Sequence, residues 1–278
     1  TYIEHLEDNL ATFSPLEVMD TKEMAFMDDT AELMEKCDLV LATGGPGLTK
    51  AAYSSGTPAY GVGPGNPPVI LDRGYDIKDA AEQTVVAVGS DNGILCDGDN
   101  LMLYPEELEG EFFGALNEAG VPVFTDAADV DALRNALFHD GKIYSGLVGK
   151  DAPVIVEAAG LSVPADTEVI AIKIDAIGKD EIMCKEIMGP VVVVKSYDTF
   201  ENAVDMAVRN MEEAGGTGHT AGLFTNNDEH KRYMEITSHE EIPDLHYSEV
   251  TINVILSTKK LTATGKFADA FPKGKFKV

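Results

Sequence analysis

Cys96 stands in the run SDNGILCDGDN, residues 90–100, where Gly, Asn and Asp surround a single thiol. Free cysteine is ordinarily a small buried apolar residue, so a thiol in a turn invites a chemical reading. A nucleophilic cysteine has to be accessible and has to ionise. A Gly/Asn loop gives access and brings backbone N–H groups close. Such donors stabilise a tetrahedral oxyanion by about 3 kcal/mol each. Asp97 and Asp99 act in the other direction, because nearby negative charge raises a thiol pKa.

Other stretches also combine residues of chemical use. ATGGPGLTK, residues 42–50, sets glycines between a strand and a helix. Backbone N–H groups and the helix dipole favour an anion there, although a tight turn with no ligand fits equally well. It is neither G-x-G-x-x-G nor a Walker A loop, since Lys50 is misplaced and no Ser or Thr follows it. GVGPGNPPVI, residues 61–70, fixes an unusual backbone route for which structure alone is reason enough. KEIMGPVVVV places Glu186 just before a Gly-Pro and an apolar run, and GGTGHTAGLFT places His219 in a glycine-rich turn. Taken singly, each of these two residues reads as an ordinary surface or loop residue.

The elements around these stretches follow from periodicity. TAELMEKC predicts a short helix over 30–37, and residues 39–42 predict a buried strand feeding the glycine turn. LTKAAYSSG predicts a helix ended by Gly56, so the unit is strand–turn–helix of the α/β type. Short strands are expected on both sides of the Gly/Pro loop, then a helix capped by Asp76, and a strand over LMLY. A helix is expected to open at Pro105 and close at Gly120, with a strand over VPVFT after it. APVIVEAAG and EVIAIKI bracket a Pro-containing turn, and MGPVVVVKSY is a β-branched strand. Phe200, Ala203, Val204, Ala207 and Val208 share one helical face before a stop at Gly215-Gly216, and AGLFTNN is one more strand.

The chain has 278 residues, of which 44% are hydrophobic, enough for one large domain or two smaller ones. Its formal charge of −27, from 48 acidic and 21 basic residues, argues against nucleic acid or an anionic membrane as partner. Three widely spaced cysteines, Cys37, Cys96 and Cys184, make neither a disulfide framework nor a zinc pattern and suit a reducing cytoplasm. No run approaches the roughly 18 apolar residues of a membrane helix, and TYIEHLEDNL is unlike a signal peptide.

In order, the motifs resemble the CoA-acylating branch of the aldehyde dehydrogenase superfamily. ATGGPGLTKAAYSSGTPAYGVGPGNPPVI is followed by Asn92-Gly93-Ile94-Leu95-Cys96, then Glu186 to Pro190 as Glu-x-x-Gly-Pro, then residues 215–220 as Gly-Gly-x-Gly-His-Thr. The resemblance runs from about residue 30 to residue 253. It implies an α/β fold with a truncated Rossmann-type cofactor domain over 1–62, a catalytic thiol domain over 63–253 and a tail or shortened oligomerisation segment over 254–278. It implies oxidation of an aldehyde to acyl-CoA, or the reverse, through a thioester on Cys96, with NAD or NADP as cofactor and coenzyme A as cosubstrate. Asn92 and His219 join Cys96 as catalytic candidates, His219 near the acyl pocket. Thr43, Gly44, Gly45 and Glu186 are the cofactor-binding candidates, Glu186 at the nicotinamide ribose. No metal is implied.

The family's first strand–helix–strand units have no counterpart here, nor has the asparagine that completes its oxyanion hole. The expectation is therefore a fragment, one half of a split enzyme or a degenerate homologue, with an exposed sheet edge and weak affinity for NAD on its own. Self-association or association with another chain follows from that edge. Two alternatives accompany this reading. One is a non-catalytic interaction subunit. The other is a non-acylating aldehyde dehydrogenase, which would need a water-activating glutamate where GVGPGN stands.

Overall fold

The computed structural model describes residues 27–240 apart from residue 218, so the reading of 254–278 as a tail lies outside the described residues. The chain parts into two compact units between Gly63 and Pro64.

The first unit runs α1 (Met27–Lys36), β1 (Val40–Thr43), α2 (Pro46–Ser54) and β2 (Ala59–Val62). The two strands pair in parallel, Val40 opposite Ala59 and Thr43 opposite Val62. A parallel pair needs a crossover, and α2 supplies it. Met34, Val40, Ala42 and Ala52 form the small core. Among the described residues this sheet has two strands, on which Leu41 is 75% and Tyr60 62% exposed.

The second unit opens with β3 (Pro68–Leu71), α3 (Ile77–Gly89), β4 (Leu101–Pro105), α4 (Glu109–Glu118) and β5 (Val123–Phe124). It continues with α5 (Ala127–Leu137), a hairpin of β6 (Phe138–His139) and β7 (Lys142–Ile143), and α6 (Ala152–Ala158). It closes with β8 (Ile170–Lys173), β9 (Val191–Tyr197), α7 (Phe200–Ala214), β10 (Gly222–Phe224) and α8 (Asp228–Glu240). Six strands form one sheet in the order β10-β3-β4-β9-β8-β5, and every neighbouring pair is parallel.

Both faces of this sheet are covered. Leu71, Met102, Tyr104 and Val192 pack with Ala81, Phe112 and Leu116 of α3 and α4. Their strand neighbours Ile70, Leu101, Leu103 and Val193 pack with Leu133, Ile155 and Ala203 of α5, α6 and α7. Burial on two faces is why LMLY and VVVV are continuous apolar runs and do not alternate.

Most of the expected elements form where the sequence puts them. Asp76 caps α3 by accepting from the N–H groups of Lys78 and Asp79. Pro105 departs from the expectation. It is the last residue of β4, opposite Tyr197, and α4 starts only at Glu109 after a 3₁₀ turn over Glu106–Leu108. A proline at a strand end gives up only one ladder donor, so the pairing with β9 outweighs its preference for a helix start. Within APVIVEAAG the β-branched run is helical, as α6. The sequence reading passed over α5, although Asp126 caps it and Val130, Leu133 and Leu137 are its buried residues.

A buried carboxylate holds the end of β3 to the last elements. Asp72, 2% exposed, accepts from the Thr225 hydroxyl at 2.5 Å and meets His230 Nδ1 at 2.6 Å. Its other oxygen accepts from the Arg73 N–H at 2.8 Å, and the His230 ring stacks on Phe200 at 3.9 Å. Replacing Asp72 by Ala leaves the buried Thr225 hydroxyl unpaired and removes the bonds to His230 and the Arg73 N–H. The expected loss is about 3 kcal/mol of unfolding free energy, to be read by urea denaturation; an unchanged midpoint would refute the clasp.

Candidate active site

The parallel sheet decides where the motifs meet. Gly65–Asn66 leads into β3, Cys96–Asn100 into β4, Glu186–Pro190 into β9 and His219–Thr220 into β10. These four strands are consecutive neighbours and all run the same way. Their preceding segments therefore lie at one end of the sheet, the amino end. Open α/β sheets more often bind ligands at the carboxyl ends of their strands.

Two asparagines hold the segments together, and the sequence reading had not singled them out. Asn66 is 1% and Asn100 8% exposed. Asn100 Nδ2 donates to Asn66 Oδ1 at 2.6 Å and to the Lys185 carbonyl at 3.1 Å, while its own Oδ1 accepts from the Ile187 N–H. Asn66 Nδ2 donates to the carbonyls of Cys184 at 2.6 Å and Gly215 at 3.1 Å. One amide pair thus reaches all four segments. The available signal was a polar Asn directly before an apolar strand, in GNPPVIL and again in DNLMLY.

The thiol turn is fixed by close backbone approach. Asp91, Asn92 and Gly93 all have left-handed φ values, 50°, 53° and 68°. A Cβ on Gly93 would lie 2.1 Å from the Gly189 carbonyl oxygen, and one on Gly65 would lie 1.9 Å from that of Cys96. Only glycine fits at either place. The Asn92 amide faces the neighbouring loop, donating to the Gly149 carbonyl at 3.2 Å and to Asp151 at 2.8 Å.

Cys96, Glu186, Asp99, Gly93 and Gly189 line one small cavity of about 20 Å³, with Leu95 and Val88 among its apolar walls. Its lining contains no Lys or Arg. Burial raises the Cys96 thiol pKa, and the charges of Asp97 and Glu186 add to the rise. Burial also raises Glu186, against the Gly65 N–H that donates to its carboxylate. His219 is lowered by burial, with Asp97 close enough to oppose the shift, and its Nδ1 is buried with no partner among the described residues. The structure thus gathers Cys96, Glu186 and, through Asp97, His219 at one end of the second sheet. Thr43, Gly44 and Gly45 belong to the first unit, at the end of β1 and the start of α2, where Gly45 is the N-terminal cap residue.

Such a site suits a thiol that acts as a neutral group until its proton is taken. No protein-family model matches the chain. A succinate-semialdehyde dehydrogenase (acetylating) from Clostridium kluyveri is 44% identical over 221 residues, which are 79% of this chain and 48% of that enzyme. The chain is homologous to the acylating aldehyde dehydrogenases. It spans about half the length of that curated relative. It also shares the fold of a Rhodopseudomonas palustris propionaldehyde dehydrogenase solved with bound propionyl-CoA, with a TM-score of 0.71, 25% identity and coverage of 77% of this chain and 47% of that one. An engineered glycolyl-CoA reductase with bound NADP+ matches with a TM-score of 0.70, 26% identity and coverage of 76% and 47%.

Two outcomes follow from this geometry. Asn66→Ala takes one of the Asn100 amide's three bonds and the side-chain donor to two carbonyls, at an expected cost of about 2 kcal/mol, measured by thermal denaturation. Asp97→Asn removes a negative charge beside the thiol, so Cys96 ionises at lower pH. Its alkylation at pH 8 should quicken severalfold in a Cys37→Ser background, which removes the exposed thiol; a slower or unchanged rate would refute the electrostatic account.

Proposed function

We propose that this stretch of chain carries the thiol half of a CoA-acylating aldehyde oxidation, running in either direction. The observation that carries the reading is the cavity shared by Cys96 and Glu186 at the clasped end of four parallel strands. The Cys96 S–H bond breaks and its proton is taken up as the sulfur attacks the aldehyde carbon, a C–S bond forms, and the carbonyl electron pair moves to oxygen. The Cys96 backbone N–H serves as one oxyanion donor, and His219 borders the acyl group. NAD or NADP, when bound, would supply the acceptor for the hydride lost as the Cys96 adduct becomes a thioester. The coenzyme A thiol then attacks the thioester carbon, and Cys96 leaves with a proton restored. Splitting one hard step into two easier ones is the gain of covalent catalysis.

Each unit, taken by itself, offers residues suited to part of a dinucleotide. α2 follows Gly45 without a side-chain cap, and with proline first and the Leu48 N–H turned to the Gly45 carbonyl, the Gly47 N–H is the one left to meet an anion. Glu186 is a half-buried carboxylate with the Gly65 N–H as a donor, suited to accept also from a ribose hydroxyl. Thr43, Gly44 and Gly45 are assigned to cofactor binding by the same reading, and Asn92 to the geometry of the nucleophile turn. We place the chain in the cytoplasm on its three scattered cysteines, and expect it to associate with itself or another chain through Leu41 and Tyr60. No helix among the described residues is long and apolar enough to cross a membrane.

The acyl-transfer half needs no nicotinamide, so it tests this chain directly. Incubation with propionyl-CoA should add one propionyl group to Cys96, seen by mass spectrometry, and Cys96→Ala should abolish it. NAD(P)H formation from short aldehydes should then depend on coenzyme A. Acylation that persists in Cys96→Ala would sink the assignment, and turnover to the free acid without coenzyme A would favour the non-acylating reading.

A further inference from the structure

Asp99 has no part in the reaction above, yet it lines the same cavity as Cys96 and Glu186. It is 7% exposed, and its Oδ2 is shielded from solvent with no hydrogen-bond partner among the described residues. Its place is held from both sides. The Gly98 N–H donates to the Leu95 carbonyl at 3.0 Å, and Asn100 belongs to the amide clasp. An unpaired buried carboxyl oxygen costs stability unless something else uses it. The cavity of about 20 Å³ has room for about one water molecule, which needs two to four polar partners. Cys96, Glu186, Asp99 and Asn100 are the residues with polar side chains on its lining.

We propose that Asp99 accepts the Cys96 thiol proton through one water held in this cavity. The inference rests on the thioester reading. In the attack the S–H bond breaks as the S–C bond forms. The proton passes to the water, the water gives one of its own to the Asp99 carboxylate, and charge moves from carboxylate to aldehyde oxygen. In the reverse step the same route returns a proton to the departing thiolate. Burial, with the charge of Asp97 added, pushes Asp99 up to about 7, suited to a proton acceptor working near neutrality. Above that pH Asp99 is charged and can accept; below it the site is already full and attack slows. Glu186 is less suited, because the Gly65 N–H stabilises its charged form. The other ionisable groups near the thiol are Asp97 and, through it, His219.

Two readouts on the whole chain, in a Cys37→Ser background, test this. Alkylation of Cys96 by iodoacetamide reports thiolate alone, with no substrate. In the wild type its rate should climb up to about pH 7, level off while Asp99 and Cys96 share one proton, and climb again. In Asp99→Asn it should climb without the plateau, and so exceed the wild type at pH 8. Acylation of Cys96 by propionyl-CoA at pH 8 should move the opposite way, falling about a hundredfold in Asp99→Asn and recovering in part in Asp99→Glu. If both rates rise, Asp99 is only a charge; if both fall or neither moves, it is only structural. Either result overturns the proposal. If Asp99→Asn does not fold, the wild-type plateau decides. A wild type that takes no acyl group refutes the thioester reading and leaves the alkylation plateau to decide Asp99.

Discussion

The hydrogen bond between the Asn66 and Asn100 side chains is the contact on which the site depends. Parallel pairing brings four chain segments to one end of the sheet, but it does not fix the path of each before its strand begins. There the backbone groups have left the ladder and need other partners. The two amides provide them. Between them they take up three carbonyls and one N–H drawn from the β9 and β10 segments, and they join the β3 and β4 segments to each other. An amide suits this because it offers donors and an acceptor with no net charge. A carboxylate in either place would have to be desolvated beside Glu186 and Asp99.

The charge around the thiol is unlike the usual arrangement. Reactive cysteines are commonly found beside a cation or a helix N-terminus, which lowers their pKa. Here the cavity lining has no Lys or Arg, and carboxylates add to the effect of burial. The strongly acidic composition is thus carried into the site and is not confined to the surface. A resting thiol that stays protonated is poorly reactive toward oxidants, since the thiolate is the reactive form. Under the proposed function nucleophilicity then appears only as the proton departs, which links attack to proton movement.

Much of this was legible in the sequence, and the limits have physical causes. Strand and helix positions followed from apolar runs, caps and glycine stops, as Asp76 and Gly215 illustrate. Pro105 misled because its local preference was outweighed by a partner strand, β9, that lies far along the chain. The motifs were visible as Gly-rich turns before strands, and their order showed the resemblance to the acylating aldehyde dehydrogenases. What stayed hidden was long-range. That Gly65 is needed for the approach of the Cys96 carbonyl, and Gly93 for that of Gly189, depends on segments distant in sequence. The burial of Asp99 was equally illegible, because DGDN reads as a solvated turn until the sheet closes over it.

Those two glycine contacts also set the mechanics of the thiol turn. It is held between the backbone before β3 on one side and the backbone before β9 on the other, each too near to admit a methyl group. A segment packed this closely on both sides has little room to shift. Cys96 is therefore closely held, and in the proposed reaction an arriving acyl carbon has to be delivered to it. Little orientational entropy is left for the protein to lose at the sulfur when reaction begins. Any opening or closing that admits a substrate belongs to elements outside the clasped end of the sheet.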